Sequence, residues 1–226
     1  MSDPAQRQET RQIAPDSTRT LIYCPVIHSQ VDLGALRGPV QSATHTAFGN
    51  EAWRRRVLTV EQMWTEIEQM IDGLDLDPTR TRLYQDGLPI CGHELEIVKE
   101  MSYKGSRNHR ILLRLHSQGA TLMGTESGPL LLQEYNLAKR LLDPDQQGLD
   151  SDGRDALQMQ ARTLLKSRDL FIAGRINETL KVGEVGILFL GMLHDITPFL
   201  TSDIRVAYPL GTPVGSDGVA ESESET

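Results

Sequence analysis

The chain has 226 residues, 23 Lys and Arg against 31 Asp and Glu, a formal net charge of −8 and a hydrophobic fraction of 38%. That length suits one domain with a sizeable core, and the acidic balance excludes non-specific nucleic-acid binding, which needs a cationic surface. Two cysteines, Cys24 and Cys91, are too few for a disulfide framework or a zinc ribbon and read as reduced core thiols, and no apolar run approaches the length of a membrane span.

Residues 1–18 are polar and residues 211–226 end in an acidic Ser/Glu run, so both read as solvated tails around a single domain over 19–210. No basic segment followed by an apolar stretch marks a secretory leader. The expectation is a cytoplasmic protein.

The first strand is predicted over Arg19–Ile27, rich in β-branched and aromatic residues, with Pro25 suited to a strand end or edge. Gln30 to Asn50, carrying Gly34, Gly38, Pro39 and Gly49, reads as a long loop of the kind that serves as a lid. Thr59 then opens a helix through a capping-box pattern with Gln62. Val60, Met63, Trp64, Ile67, Met70, Ile71 and Leu74 form its apolar stripe. A short strand Arg82–Tyr84 follows, then helices over Gly92–Tyr103 and Asn108–Gln118. Strand Thr121–Met123 leads into a helix that begins near Pro129 and ends by Leu142. Asp152–Lys181 reads as one long helix buried through Leu157, Ala161, Leu164, Phe171, Ile172, Ile176 and Leu180. Val185–Leu190 is continuously apolar, as a central parallel strand should be, and Ile204–Tyr208 closes the domain. Strands alternating with helices predict an α/β layered sandwich with a mostly parallel sheet.

The first four predicted strands each stop at a histidine or a carboxylate. The first ends at His28, the second at Asp86, the third at Gly124-Thr125-Glu126 and the fourth at Gly191-Met192-Leu193-His194-Asp195. Ligands of open α/β sheets bind beyond the carboxyl ends of the strands, so these residues mark a candidate site. Imidazole ligates metals and acts as a base near neutral pH. A carboxylate there ligates a metal, activates water or orients an imidazole, and for Glu126 the plainer alternative is to complement the N-terminus of the helix near Pro129. Arg168 falls on the apolar stripe of the long helix, where an arginine needs a carboxylate or a bound anion. Asp169 beside it is expected on the solvated flank. Asp32 and Asp195 are secondary candidates as partners of the two histidines, and among the other histidines His93 stands closest to the site loop. No phosphate-binding Gly-rich loop follows the first strand and no Gly-x-Ser-x-Gly is present.

With these residues in place the chain resembles the TraB/ChaN/Tiki and erythromycin-esterase-like superfamily. The resemblance rests on Arg168-Asp169-Leu170-Phe171-Ile172-Ala173 followed by Gly186 to His194, similar to that family's Arg-Asn/Asp-x-x-Met-Ala helix and Gly-x-x-His strand end. Val26-Ile27-His28-Ser29 adds to it, although Pro25 stands where the first motif has glycine. The match covers about a quarter of the chain. It implies an α/β core with its site at the sheet edge, and metal-dependent hydrolysis or metal and haem handling. The expected function is hydrolysis of an ester or amide bond in a small-molecule or peptide substrate. His28, Asp86, Glu126 and His194 are the expected ligands of a divalent metal (Mn, Co, Fe or Zn) or the groups that activate water, with Arg168 on an anionic substrate group or a carboxylate. The alternative is a non-catalytic protein of the same fold that binds a metal, haem or small metabolite.

Overall fold

A computed structural model describes residues 18–27, 37–142 and 151–211; the two expected tails, His28 and Asp32 lie outside them. Five strands, β1 (Arg19–Val26), β2 (Thr81–Gln85), β3 (Thr121–Met123), β4 (Val185–Gly191) and β5 (Ile204–Ala207), form one sheet in the order β3-β2-β4-β1-β5. Every pairing is parallel. Among the described residues there are five α-helices: α1 (Arg37–Asp72), α2 (Glu94–Tyr103), α3 (Arg107–Ser117), α4 (Gly128–Leu142) and α5 (Ser151–Thr179). The expected layered α/β sandwich is the observed fold. None of the helices is long and apolar enough to cross a membrane, among the described residues.

Alternation along the strands builds two cores. Ile22, Cys24, Val26, Leu83, Ile187 and Phe189 face α1, α2 and α3, where Trp64, Ile67, Val98, Ile111 and Leu112 are buried against them. Leu21, Tyr23, Tyr84, Leu188 and Leu190 face the other way, onto Ile172, Ala173, Ile176 and Leu180 of α5 and its continuation. Gly186 sits where β4 runs between β1 and β2. A side chain there would meet Leu21 Cδ1 at 2.9 Å and Tyr84 Cε2 at 3.1 Å, so the residue must be small.

Pro25 lies in an interior strand, but it is tolerated because β5 pairs with β1 only through Ile22. Beyond that point one side of β1 carries no ladder for a missing N–H to break.

Two expectations for the N-terminal third are corrected. Arg37 to Asn50 is helix rather than loop, and residues 28–36 of the expected lid lie outside the described residues. Thr59 is not a helix start: α1 runs through it, and its hydroxyl donates to the Arg55 carbonyl one turn back at 3.0 Å. Cys91 is exposed, whereas Cys24 is buried, and burial pushes the Cys24 thiol up to about 12.

Candidate functional site

The site forms where adjacent strands send the chain in opposite directions. After β2 the chain moves outward to β3 through α2 and α3 on one face of the sheet; after β4 it moves to β5 through a 3-10 turn, Thr197–Phe199, packed on the α5 face. Such a switch point leaves a crevice at the carboxyl ends of the two strands. Asp86 follows β2 and His194 follows β4.

Local hydrogen bonds fix each group. The Asp86 N–H donates to the Phe189 carbonyl at 2.9 Å, extending the ladder one residue past β2. The loops after β2 and β3 are stitched together: Thr125 and Glu126 donate to the Leu88 carbonyl at 2.9 and 3.0 Å, and Ile90 donates to the Glu126 carbonyl at 2.9 Å. Gly124 permits that approach, since a Cβ there would stand 2.8 Å from Ile90 Cα. His194 is turned back over the end of β4 by a bond from its N–H to the Gly191 carbonyl at 3.0 Å.

Helix α5 runs antiparallel to the strands and supplies the remaining groups. From Arg168 to Thr179 it rises about 17 Å at 1.5 Å per residue, while β4 advances about 20 Å at 3.3 Å per residue. Arg168 and Asp169 therefore arrive level with the carboxyl ends. Arg168, only 3% exposed, donates through Nε to Glu126 Oε2 at 3.1 Å. Its Nη2 donates to Glu126 Oε1 at 2.6 Å and to Asp86 Oδ1 at 2.8 Å, and its Nη1 donates to Glu134 Oε1 of α4. The second Asp86 oxygen accepts from the Gly191 N–H at 2.9 Å. His194 Nδ1 lies 2.5 Å from Asp169 Oδ1, and its Nε2 lies 3.8 Å from Asp86 Oδ2. The Asp195 N–H donates to the other Asp169 oxygen at 3.3 Å.

The structure thus brings Asp86, Glu126, Arg168 and His194 together, as expected of a site at this edge. Asp169 corrects the sequence reading: it is buried and holds the imidazole rather than lying on a solvated flank. Glu134 was not anticipated. Glu126 does not cap α4; both its oxygens are on Arg168. Of its two expected partners, a carboxylate or a bound anion, Arg168 meets carboxylates of the chain itself. His93 is exposed at the start of α2.

The charges are unequal, with four carboxylates against one guanidinium and one imidazole. Burial pushes the Glu126 carboxyl above its ordinary range; the neighbouring Asp86 charge acts the same way and the Arg168 bonds oppose it. Burial disfavours the Arg168 cation, but Glu126, Asp86 and Glu134 outweigh that and hold it more firmly charged than a free arginine. A carboxylate only accepts, so the Asp169 contact assigns a proton to His194 Nδ1 and leaves Nε2 as the basic nitrogen.

Among the described residues no three His, Cys, Asp or Glu side chains are grouped to hold a metal ion. Both Glu126 oxygens and Asp86 Oδ1 are engaged by Arg168, and Asp86 Oδ2 accepts from the Gly191 N–H; His28, the fourth expected ligand, lies outside the described residues.

No family model, curated protein or solved structure matches the chain. The reading of the site therefore rests on its geometry.

Proposed function

We propose that this chain hydrolyses an ester or amide bond, with His194 as general base. The observation that carries the reading is the buried Asp169–His194 pair at 2.5 Å, set at the carboxyl ends of the strands, the edge at which open α/β sheets bind ligands. A carboxylate on Nδ1 fixes the tautomer and complements the imidazolium formed when Nε2 takes a proton, the logic of catalytic histidine–carboxylate pairs on many folds. A water held at Nε2 gives up its proton there as its oxygen attacks the carbonyl carbon. The same proton then passes to the departing alkoxide or amine. Asp86, beside Nε2 at 3.8 Å, is the second acceptor for that water. Arg168 holds Asp86 and Glu126 in place and offsets their charge. The segments that meet here, the Arg-Asp stretch of α5 and the Gly-x-x-His end of β4, are also those in which the chain resembles the TraB/ChaN/Tiki and erythromycin-esterase-like superfamily, which supports a hydrolytic reading.

The test is a panel of chromogenic esters and anilides with the full chain. His194→Gln is expected to lose about 100-fold or more in kcat/KM while its circular dichroism stays native. Asp169→Asn, which can no longer hold the Nδ1–H tautomer as an ionised acceptor, is expected to lose rate and change the pH profile. Absence of turnover in the wild type, or full activity in both variants, overturns the proposal; stoichiometric capture of a metabolite without turnover would select the binding alternative. Elemental analysis separates the metal-assisted version: near-stoichiometric Mn, Co, Fe or Zn, lost in His194→Ala, would select it.

A further inference from the structure

Two tyrosines stand level on the α5 face of the sheet. Tyr23 of β1 and Tyr84 of β2 are both register partners of Leu188, on the strand between them, and both are buried. Their hydroxyls go to opposite ends. Tyr84 reaches Thr179 Oγ1 at 2.9 Å, at the last residue of α5 and so at the amino end of the strands. The single Thr179 hydroxyl proton goes to the Arg175 carbonyl, so Tyr84 is the donor there. Tyr23 reaches the carboxyl end and donates to the main-chain carbonyl of His194 at 3.2 Å.

The segment that carries His194 is held mainly from its far side. Leu193, just before it, is 85% exposed. Beyond it the Asp195 N–H donates to Asp169, and the Thr197 N–H donates to Asp195 Oδ1 at 3.2 Å. The Thr197 hydroxyl pairs with Tyr208 at 2.9 Å, and the Tyr208 ring lies against Tyr23 with centroids 5.4 Å apart. Ile196 is buried in the same core. Tyr23 alone of these side chains holds the carbonyl of His194 itself. Burial pushes its phenol well above the ordinary value, and the charges of Tyr208, Asp169, Asp195 and Asp86 act the same way. It therefore stays a donor at any pH at which the chain would be assayed.

We propose that Tyr23 is a positioning residue, whose hydroxyl fixes the His194 peptide so that Nδ1 meets Asp169 and Nε2 stands beside Asp86. The Asp169 contact is 2.5 Å long, and a hydrogen bond weakens steeply once its atoms are misaligned. A small rotation of the His194 peptide is enough to lengthen that contact and turn Nε2 away from where a water would be held. Tyr84, with the same ring at the same level, has no such reach. The inference deepens the hydrolase reading and rests on it for the rate, but not for the state of the imidazole.

Proton NMR of the full chain, beside steady-state kinetics on the ester and anilide panel, tests it with Tyr23→Phe and, as control, Tyr84→Phe. Each variant loses one buried hydroxyl and keeps its ring, so packing is retained, and circular dichroism checks the fold. The wild type is expected to show a far-downfield His194 Nδ1–H resonance, the mark of the short bond to Asp169, assigned by its loss in His194→Gln. In Tyr23→Phe that resonance should move upfield, and kcat should fall about three- to tenfold, the worth of one hydrogen bond, with KM unchanged. Tyr84→Phe should lose comparable stability and leave the resonance and kcat as in the wild type. A wild-type resonance in Tyr23→Phe, or an equal shift in Tyr84→Phe, overturns the proposal. A chain that shows the shift in Tyr23→Phe alone yet hydrolyses nothing sinks the hydrolase reading and keeps this one. Turnover that His194→Gln abolishes and Tyr23→Phe leaves intact does the reverse.

Discussion

The two ends of the sheet use arginine differently. At the amino end Arg19 holds both oxygens of Asp203 at 2.7 and 2.6 Å and donates to the Asn177 and Leu180 carbonyls at the end of α5. Nearby, Arg82 makes a two-point contact with Glu184. Arg19 and Arg82 each meet a single carboxylate. At the carboxyl end Arg168 faces Asp86, Glu126 and Glu134 at once. Single pairs tie strand to helix; a buried surplus of charge works against folding. The contrast separates the stitching of the fold from the cluster on which the proposed function rests.

The strongest way to break that contrast is Arg168→Met. It strands buried carboxylates without a cation and is expected to cost about 3–5 kcal/mol, read by urea unfolding. A loss no larger than that of an amino-end arginine would make the two ends equivalent.

Next comes the pH dependence. The folded chain keeps the Glu126 proton to higher pH than the unfolded chain does. Between the two pKa values folding takes up a proton, so stability falls as pH rises above the ordinary carboxylate range and then levels off. Glu126→Gln is expected to remove that fall. At the amino end the sign reverses. The bonds from Arg19 and Thr201 hold Asp203 down at about 2, so its contribution is present above its unfolded value and is lost as pH falls toward 2. Relative to their offsets at pH 2, unfolding midpoints of Glu126→Gln and Asp203→Asn should therefore part from wild type in opposite directions as pH rises to 8, Glu126→Gln upward and Asp203→Asn downward. Divergence in the same direction refutes the contrast.

Arg82→Met is expected to cost about 1 kcal/mol, because its pair with Glu184 is partly exposed and its removal leaves one carboxylate that water can reach. The smallest effect belongs to Asp203→Asn at neutral pH, where solvent screens the pair.

Much of this arrangement was legible in the chain because short strands ended by polar residues leave a clear pattern. Val185–Leu190 is apolar throughout, and a parallel strand buried on both faces has to be. The stops at Asp86, Glu126 and His194 followed directly from where the apolar runs ended. Asp169 escaped because Phe171 was placed on the buried face of α5; Phe171 is 37% exposed. The buried positions Asp169, Ala173, Ile176 and Leu180 follow one another at intervals of four, three and four, a helical stripe that was there to be read. Glu134 left no signal, since it sits on a different helix and is paired only through the tertiary fold. The first half of α1 was hidden for a physical reason. Val60 to Ile71 already covers about 17 Å of helix, roughly the height of the sheet. The sequence of the preceding turns, with Gly38, Pro39 and Gly49, carries no apolar stripe to announce a helix.

The order of the strands has one more consequence. The outermost two, β3 and β5, are three and four residues long, while the longest strands, β1 and β4, lie inside. A neighbouring chain seeking to extend the sheet finds at either margin only a few backbone N–H and C=O groups, too short a template to hold a further strand. Open sheets invite self-association through their edges; this one limits the invitation by tapering.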